Sequence, residues 1–212
     1  MQIFPRWTNK VPLAVAAGVP IAMVGLIAGI WYFFSPKFTD VGYSHKQPVP
    51  YSHKLHAAQL GIDCLYCHGS AEKGSHANIP ATQVCMNCHK VVKTDSAVLE
   101  PVRESWKNDV PVDWVRVHKI PDFAYFPHNV HLNAGVGCVE CHGRIDQMVQ
   151  VRQDQPLSMG WCLDCHRAPE SHLRPKDLVT KMDYVPTEEQ LKLAHIKAGE
   201  VHPPTQCSGC HR

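Results

Sequence analysis

The sequence predicts a mostly irregular, partly α-helical domain with little regular secondary structure, preceded by one N-terminal transmembrane helix. Three observations predict it. Residues 11–34 carry no charge. The pattern Cys-x-x-Cys-His recurs five times and consumes all ten cysteines. The chain carries seventeen prolines, fourteen of them after residue 34, and no apolar/polar alternation persists long enough to make a sheet.

The apolar run comes first. As a helix, 24 residues reach about 36 Å, enough for a hydrocarbon core of about 30 Å. Arg6 and Lys10 precede the run and no acidic residue lies among the first ten. The positive-inside bias therefore expects residues 1–10 in the cytoplasm and all that follows residue 34 outside, in a single pass. A cleaved signal peptide is the competing reading. The run is longer than a usual signal core and ends in Trp31, Tyr32, Phe33 and Phe34 rather than small residues, which favours an anchor in the lipid bilayer. Gly25 and Gly29, echoed by Ala14 and Gly18, form small-xxx-small pairs at which another helix could approach.

Residues 35–50 read as a polar, proline-containing tether. Beyond them the chain repeats. YSHKLHAAQLGIDCLYCHG (51–69) matches FPHNVHLNAGVGCVECHG (126–143) once one residue is dropped at or near Gln59. A second Cys-x-x-Cys-His follows each copy, so the simplest account is two two-site modules, 51–92 and 126–170, with a fifth site in 187–212. Between the modules, 96–108 predicts a short helix with Pro101 in its first turn and 114–120 a short extended piece. Thr187 with Gln190 makes a capping box for a helix that Gly199 would close.

Charge is balanced, with 21 Lys and Arg against 19 Asp and Glu, so no nucleic-acid footprint is expected. The chemistry lies in the cysteines. The motifs are Cys64, Cys67, His68; Cys85, Cys88, His89; Cys138, Cys141, His142; Cys162, Cys165, His166; and Cys207, Cys210, His211. Paired thiols at this spacing bond the two vinyl groups of a haem, and the adjacent His becomes an axial iron ligand. A zinc ribbon needs no His after each pair, and here all five have one. The sequence thus predicts five covalently bound haem c groups in residues 51–212 and leaves no cysteine for a disulfide or a nucleophile. Haem attachment of this type places the domain on the periplasmic side of the inner membrane. About 34 residues per site is too little peptide for separate apolar cores.

Ten histidines remain for the sixth iron positions. His53 with His56, and His128 with His131, are the best candidates, because the same His-x-x-His precedes the first motif of each module. Residues i and i+3 of a helical turn point on neighbouring bearings and can serve different irons. His118, before the second module, is a further candidate. Met148 is expected at the fourth site, with Met159 the competing choice, since no spare His lies between the third and fourth motifs. His45, His172, His195 and His202 are read as solvated or propionate-contacting.

The paired approach to each first motif resembles small class III multihaem cytochromes, in which the first His ligates the haem that follows and the second a neighbouring one. Across IFPRWTNK, GYSHKQPVPYSHKLHAAQLGIDCLYCH, NIPATQVCMNCH, VHKIPDFAYFPHNVH, CHGRIDQM and LSMGWCLDCHRAPE the chain resembles the pentahaem cytochrome subunits of alternative complex III. That resemblance implies an electron-transfer subunit with no catalytic site of its own. Its implied partners are an iron-sulfur subunit, multispan quinol-binding subunits and a monohaem cytochrome, with a cytochrome or terminal oxidase as acceptor. The alternative is a stand-alone membrane-anchored quinol dehydrogenase of the periplasmic nitrate and nitrite respiration type. A reductase with an open haem fits less well, because spare ligands abound.

Overall fold

A computed structural model describes residues 3–190, 199 and 201–211. Helix α1, Val11–Phe33, continues a 3-10 turn at Arg6–Lys10 and buries no residue against the rest of the chain. Pro20 inside it removes one backbone bond, a loss that helices in apolar surroundings tolerate. This helix fits a membrane anchor or a signal sequence by length and composition. Its end is aromatic: Phe33 packs edge-on against Phe38 of the next turn, α2 (Pro36–Thr39), with ring centres 4.9 Å apart.

The segment expected as a tether is bound to the domain along its length. The Gly42 amide donates to the Gln153 carbonyl (2.8 Å), the Gln153 amide to the Tyr43 carbonyl (2.9 Å), and Ser44 Oγ to the Val151 carbonyl (2.8 Å). Gln47 exchanges two side-chain bonds of 2.9 Å with the Val115 backbone, and Val49 is buried with Met86 and Val102. Residues 114–120, read as extended, therefore pair with a side chain and not with a strand. Among the described residues there are only isolated bridges, one of them Ser44 with Arg152.

The short helices that follow carry the motifs: α3 (Cys64–Cys67), α4 (Thr82–His89), α7 (Cys138–His142), α8 (Met159–Arg167) and the closing turn Cys207–Cys210. Asp63 caps α3 by accepting from the Leu65 amide (2.8 Å), and Ser158 caps α8 by accepting from the Trp161 amide (3.3 Å). The helix expected over 96–108 is a 3-10 turn, Ala97–Leu99, running into α5, Glu100–Asn108, with Pro101 in its first turn. The α4 and α5 helices are joined by Thr82 and Ser105, whose hydroxyls lie 2.6 Å apart. The capping box closes as expected: the Thr187 amide donates to Gln190 Oε1 (2.9 Å) and the Gln190 amide to Thr187 Oγ1 (3.3 Å). Gly199 is itself helical, and the span 191–198, with His195, lies outside the described residues.

Apolar burial is thin. One small cluster gathers Val49, Met86 and Val102, a second Ala71, Leu132 and Val179, and a third Leu173. Among the described residues no large side chain is fully buried.

The two His-x-x-His pairs start equivalent turns built differently. In the second module they lie on a regular helix, α6, His128–Ala134, ended by Gly135 at φ 96°. In the first, His53 enters a π-helical turn, Lys54–Gln59, in which the Leu60 amide reaches the Leu55 carbonyl five residues back. The wider turn absorbs the one extra residue of the first copy and keeps both imidazoles on their bearings.

Candidate functional site

Each Cys-x-x-Cys occupies one helical turn, so its two thiols, three residues apart, lie on one face. All ten cysteines are free thiols, none joined in a disulfide. Among the described residues no three His, Cys, Asp or Glu side chains converge as they would around a bare metal ion.

Four of the five motif histidines are fixed by the same device. Nδ1 donates to a backbone carbonyl: His68 to Asn78 (2.7 Å), His89 to Val92 (3.1 Å), His166 to Pro204 (2.8 Å) and His211 to Phe123 (3.1 Å). A carbonyl only accepts, so Nδ1 carries the proton and Nε2 is the free basic nitrogen, as in a ligating imidazole. His56, His131 and His128 are held likewise, to the carbonyls of Ser52 (2.9 Å), Pro127 (2.9 Å) and Ser75 (2.8 Å).

Two pairs then face each other. His56 and His89 have ring centres 6.3 Å apart, and His131 and His166 6.1 Å apart. Two imidazoles on opposite sides of one metal atom, each with a nitrogen–metal bond of about 2 Å, place their ring centres about 6 Å apart. The residues fit a bis-imidazole iron site at the second and fourth motifs. At the fourth motif the ring opposite His166 is thus His131, where the sequence led to the expectation of Met148. The His131 ring comes from α6, before the third motif, and reaches His166 across the fold. Met148 is buried, and its carbonyl accepts from the Lys54 amide of the first module's turn (3.0 Å), while Met159 is two-thirds exposed at the start of α8.

One aromatic residue precedes each pair, at the first position of the aromatic-x-His-x-x-His approach. Tyr51 lies edge-on to His53 (4.9 Å, 84°) and stacks on His56 (4.4 Å, 22°). Phe126 repeats this with His128 (4.8 Å, 83°) and His131 (4.3 Å, 32°). The shared aromatic two positions before the first His was the available signal.

At the centre lie His53, His68, His118, His128 and His142. His118 and His142 touch, with ring centres 4.4 Å apart. Burial lowers the pKa of His53 to about 4 and of His142 to about 3, and lowers those of His118, His128 and His131. Burial thus holds all five as neutral imidazoles, the form that binds iron. His53 Nδ1, His118 Nε2 and His142 Nδ1 are buried without a hydrogen-bond partner, a cost of about 1–3 kcal/mol each, and of the three His118 Nε2 is the nitrogen that iron coordination would satisfy.

His172, read as solvated, is held by Glu140, the residue between the cysteines of the third motif. His172 Nδ1 lies 2.7 Å from Glu140 Oε2, and Arg174 Nη2 donates to Oε1 (2.7 Å). Buried Arg174 also donates to the Lys181 carbonyl (3.0 Å) and covers the Tyr184 ring at 5.0 Å. His45, His76 and His202 are exposed.

Comparison with known proteins agrees with this geometry. Residues 124–212, which hold the last three motifs, match the family of cytochrome c7 and related cytochrome c. The chain is 35% identical over 122 residues to the menaquinone reductase multiheme cytochrome c subunit of Nitratidesulfovibrio vulgaris, covering 57% of this chain and 55% of that relative. It is 26% identical over 112 residues to the acrylate reductase cytochrome subunit of Shewanella woodyi, covering 52% of this chain and 68% of that one. The chain thus spans about half the length of the first relative and about two thirds of the second. Residues 124–212 form a cytochrome c7-like multihaem cytochrome domain, and the family implies covalently bound haem c.

Proposed function

We propose that this cytochrome c7-like chain is the electron-relay subunit of a membrane quinol oxidoreductase of alternative complex III type, holding five haems outside the membrane. When bound, haem c supplies one-electron iron chemistry at each site. The observation that carries the reading is the pair of facing imidazoles at 6.3 and 6.1 Å, His56 with His89 and His131 with His166. A site closed on both sides by imidazole has no position for a substrate, so these residues suit transfer of electrons and not bond chemistry. In the same reading the three remaining sixth positions are filled from among His53, His118, His128 and Met148. Cys64, Cys67, Cys85, Cys88, Cys138, Cys141, Cys162, Cys165, Cys207 and Cys210 hold the groups, and His68, His142 and His211 take the other proximal positions.

The anchor supports a relay fed by partner subunits. Helix α1 has no charged or His side chain, so it offers no group to accept the protons that quinol oxidation releases. The partners in this reading are an iron-sulfur subunit, multispan quinol-binding subunits and a monohaem cytochrome. The Nitratidesulfovibrio relative, named a menaquinone reductase subunit, supports the same quinone-linked class, with electrons moving toward the quinone.

The test is purification in mild detergent from the native membrane. The reading expects co-purifying multispan and iron-sulfur subunits and five covalent haems per chain by pyridine haemochrome. A chain that purifies alone and is rapidly reduced by quinol would replace it with the stand-alone quinol dehydrogenase.

A further inference from the structure

The order of the five attachment sites in space differs from their order along the chain. The joint between the two modules lies at their first sites. The Cys138 amide donates to the Val179 carbonyl (3.0 Å), and Cys64 Sγ lies 4.0 Å from the carbonyl of the next residue, Thr180. Thr180 Oγ1 donates to Asp63, which caps the helix of the first motif (2.8 Å). Cys138 and Leu65 pack against one apolar cluster, Ala71, Leu132 and Val179. The other side of the joint repeats the arrangement. The loop 74–78 takes the Nδ1 proton of His68 at Asn78 and that of His128 at Ser75, and its Gly74 carbonyl accepts from the Asn129 amide (3.2 Å).

The outer sites hang from this joint. In the first module, Asn87 of the second motif donates to the Tyr66 hydroxyl inside the first (3.2 Å), and the ring of His56, from the turn before the first motif, lies 6.3 Å from that of His89 in the second. In the second module, His131 of the turn before the third motif faces His166 of the fourth, with ring centres 6.1 Å apart. The fifth motif lies beyond the fourth. His166 is held by the Pro204 carbonyl, and Pro204 packs so closely on Gly209, between the last two cysteines, that a Cβ there would lie 2.4 Å from it.

We propose that the five attachment sites form one path in the order second, first, third, fourth, fifth. The modules are thereby joined head to head through Cys64 and Cys138, and the second and fifth sites are its two ends. The proposal rests on the reading of five haem sites. Electrons crossing the protein then pass the module boundary at the 179–180 segment, and partners exchange electrons at the motifs of Cys85 and Cys207.

The test uses the full-length, haem-loaded protein in detergent, oxidised, by electron paramagnetic resonance, with haem counted in parallel. Fewer than five haems in the unaltered protein would sink the five-site reading and the order with it. With five present, the double substitution Cys64→Ala and Cys67→Ala should leave four and uncouple the second. Its broadened signal then becomes a sharp, isolated low-spin signal of one spin. The control, Cys85→Ala and Cys88→Ala, should produce no isolated signal. A second-site signal that stays coupled after loss of the first site overturns the order. Where a deletion prevents maturation, Thr180→Ala in the intact chain decides: it should shift two of the five signals, those of the first and third sites. Signals are assigned through His56→Ala and His131→Ala. A shift confined to one signal, or falling on the second, fourth or fifth, overturns the order equally.

Discussion

His131 and His166 are 35 residues apart in the chain, yet their rings face each other at 6.1 Å, each with its Nδ1 proton on a carbonyl. His56 and His89 form the same arrangement at 6.3 Å. Replacing the sixth ligand without disturbing the motif isolates its role. His131→Ala and His56→Ala should each retain five covalent haems while one of them turns high-spin and binds carbon monoxide. The check is haem stoichiometry with the high-spin resonance and carbon monoxide titration. Unchanged low-spin spectra in both variants would refute the pairing.

Tyr51 and Phe126 brace both members of their His pairs. An aromatic pair contributes about 0.5–1.5 kcal/mol beyond its area. Tyr51→Leu or Phe126→Leu should therefore lower stability by about 1–2 kcal/mol, read by chemical denaturation, and should alter the low-spin g-values of the second or fourth haem respectively. Stability loss with every g-value unchanged would reduce these rings to packing alone.

The Gly143 backbone, directly after His142, sits at φ +59° and ψ −159°, and a Cβ there would lie 2.4 Å from the Asp154 side chain. That region is open essentially to glycine. Gly143→Ala should cost about 1–3 kcal/mol and lower haem incorporation at the third site, measured by yield and haem-to-protein ratio. Normal loading and stability would show that the turn yields freely.

Arg174 is 6% exposed and shares Glu140 with His172. Truncating one partner of a buried ion pair leaves the other charge uncompensated and costs about 3–5 kcal/mol, with less expected here because Glu140 is partly exposed. Glu140→Gln should destabilise the fold by about 2 kcal/mol, while the paired change Glu140→Gln with Arg174→Met should recover part of that loss. Thermal unfolding of the four-member cycle decides it, and strict additivity would rule out the coupling.

What the sequence made legible follows from where the information lies. The five Cys-x-x-Cys-His motifs need only residues three and four apart, and the His-x-x-His pairs stand out because they occur twice at the same place. The extra residue near Gln59 was visible as a gap, though its solution, a π turn, is a backbone adjustment that no side-chain pattern encodes. The partner of each distal His was not legible, since His131 reaches a motif in a different helix and Met148 packs on the opposite module. His172 looked solvated or propionate-contacting because Glu140, 32 residues away, meets it only in the folded chain. The 35–50 segment read as a tether because its bonds run through backbone groups of 151–153, which composition cannot reveal.

The last prediction concerns quinol. Oxidising a quinol releases protons with the electrons, so its site needs proton acceptors beside an apolar pocket at the membrane surface. Helix α1 presents apolar side chains over its whole length, and its end packs on the following turn through the aromatic contacts of Tyr32, Phe33 and Phe38. The bound segment 42–49 then leads into the cluster of Val49, Met86 and Val102. The isolated chain should therefore be reduced by dithionite but not by a menaquinol or ubiquinol analogue, whereas the intact assembly should be reduced by quinol in an inhibitor-sensitive way. Stopped-flow haem absorbance on both samples checks this. Rapid, inhibitor-sensitive reduction of the isolated chain would give it a quinol site of its own and overturn the relay.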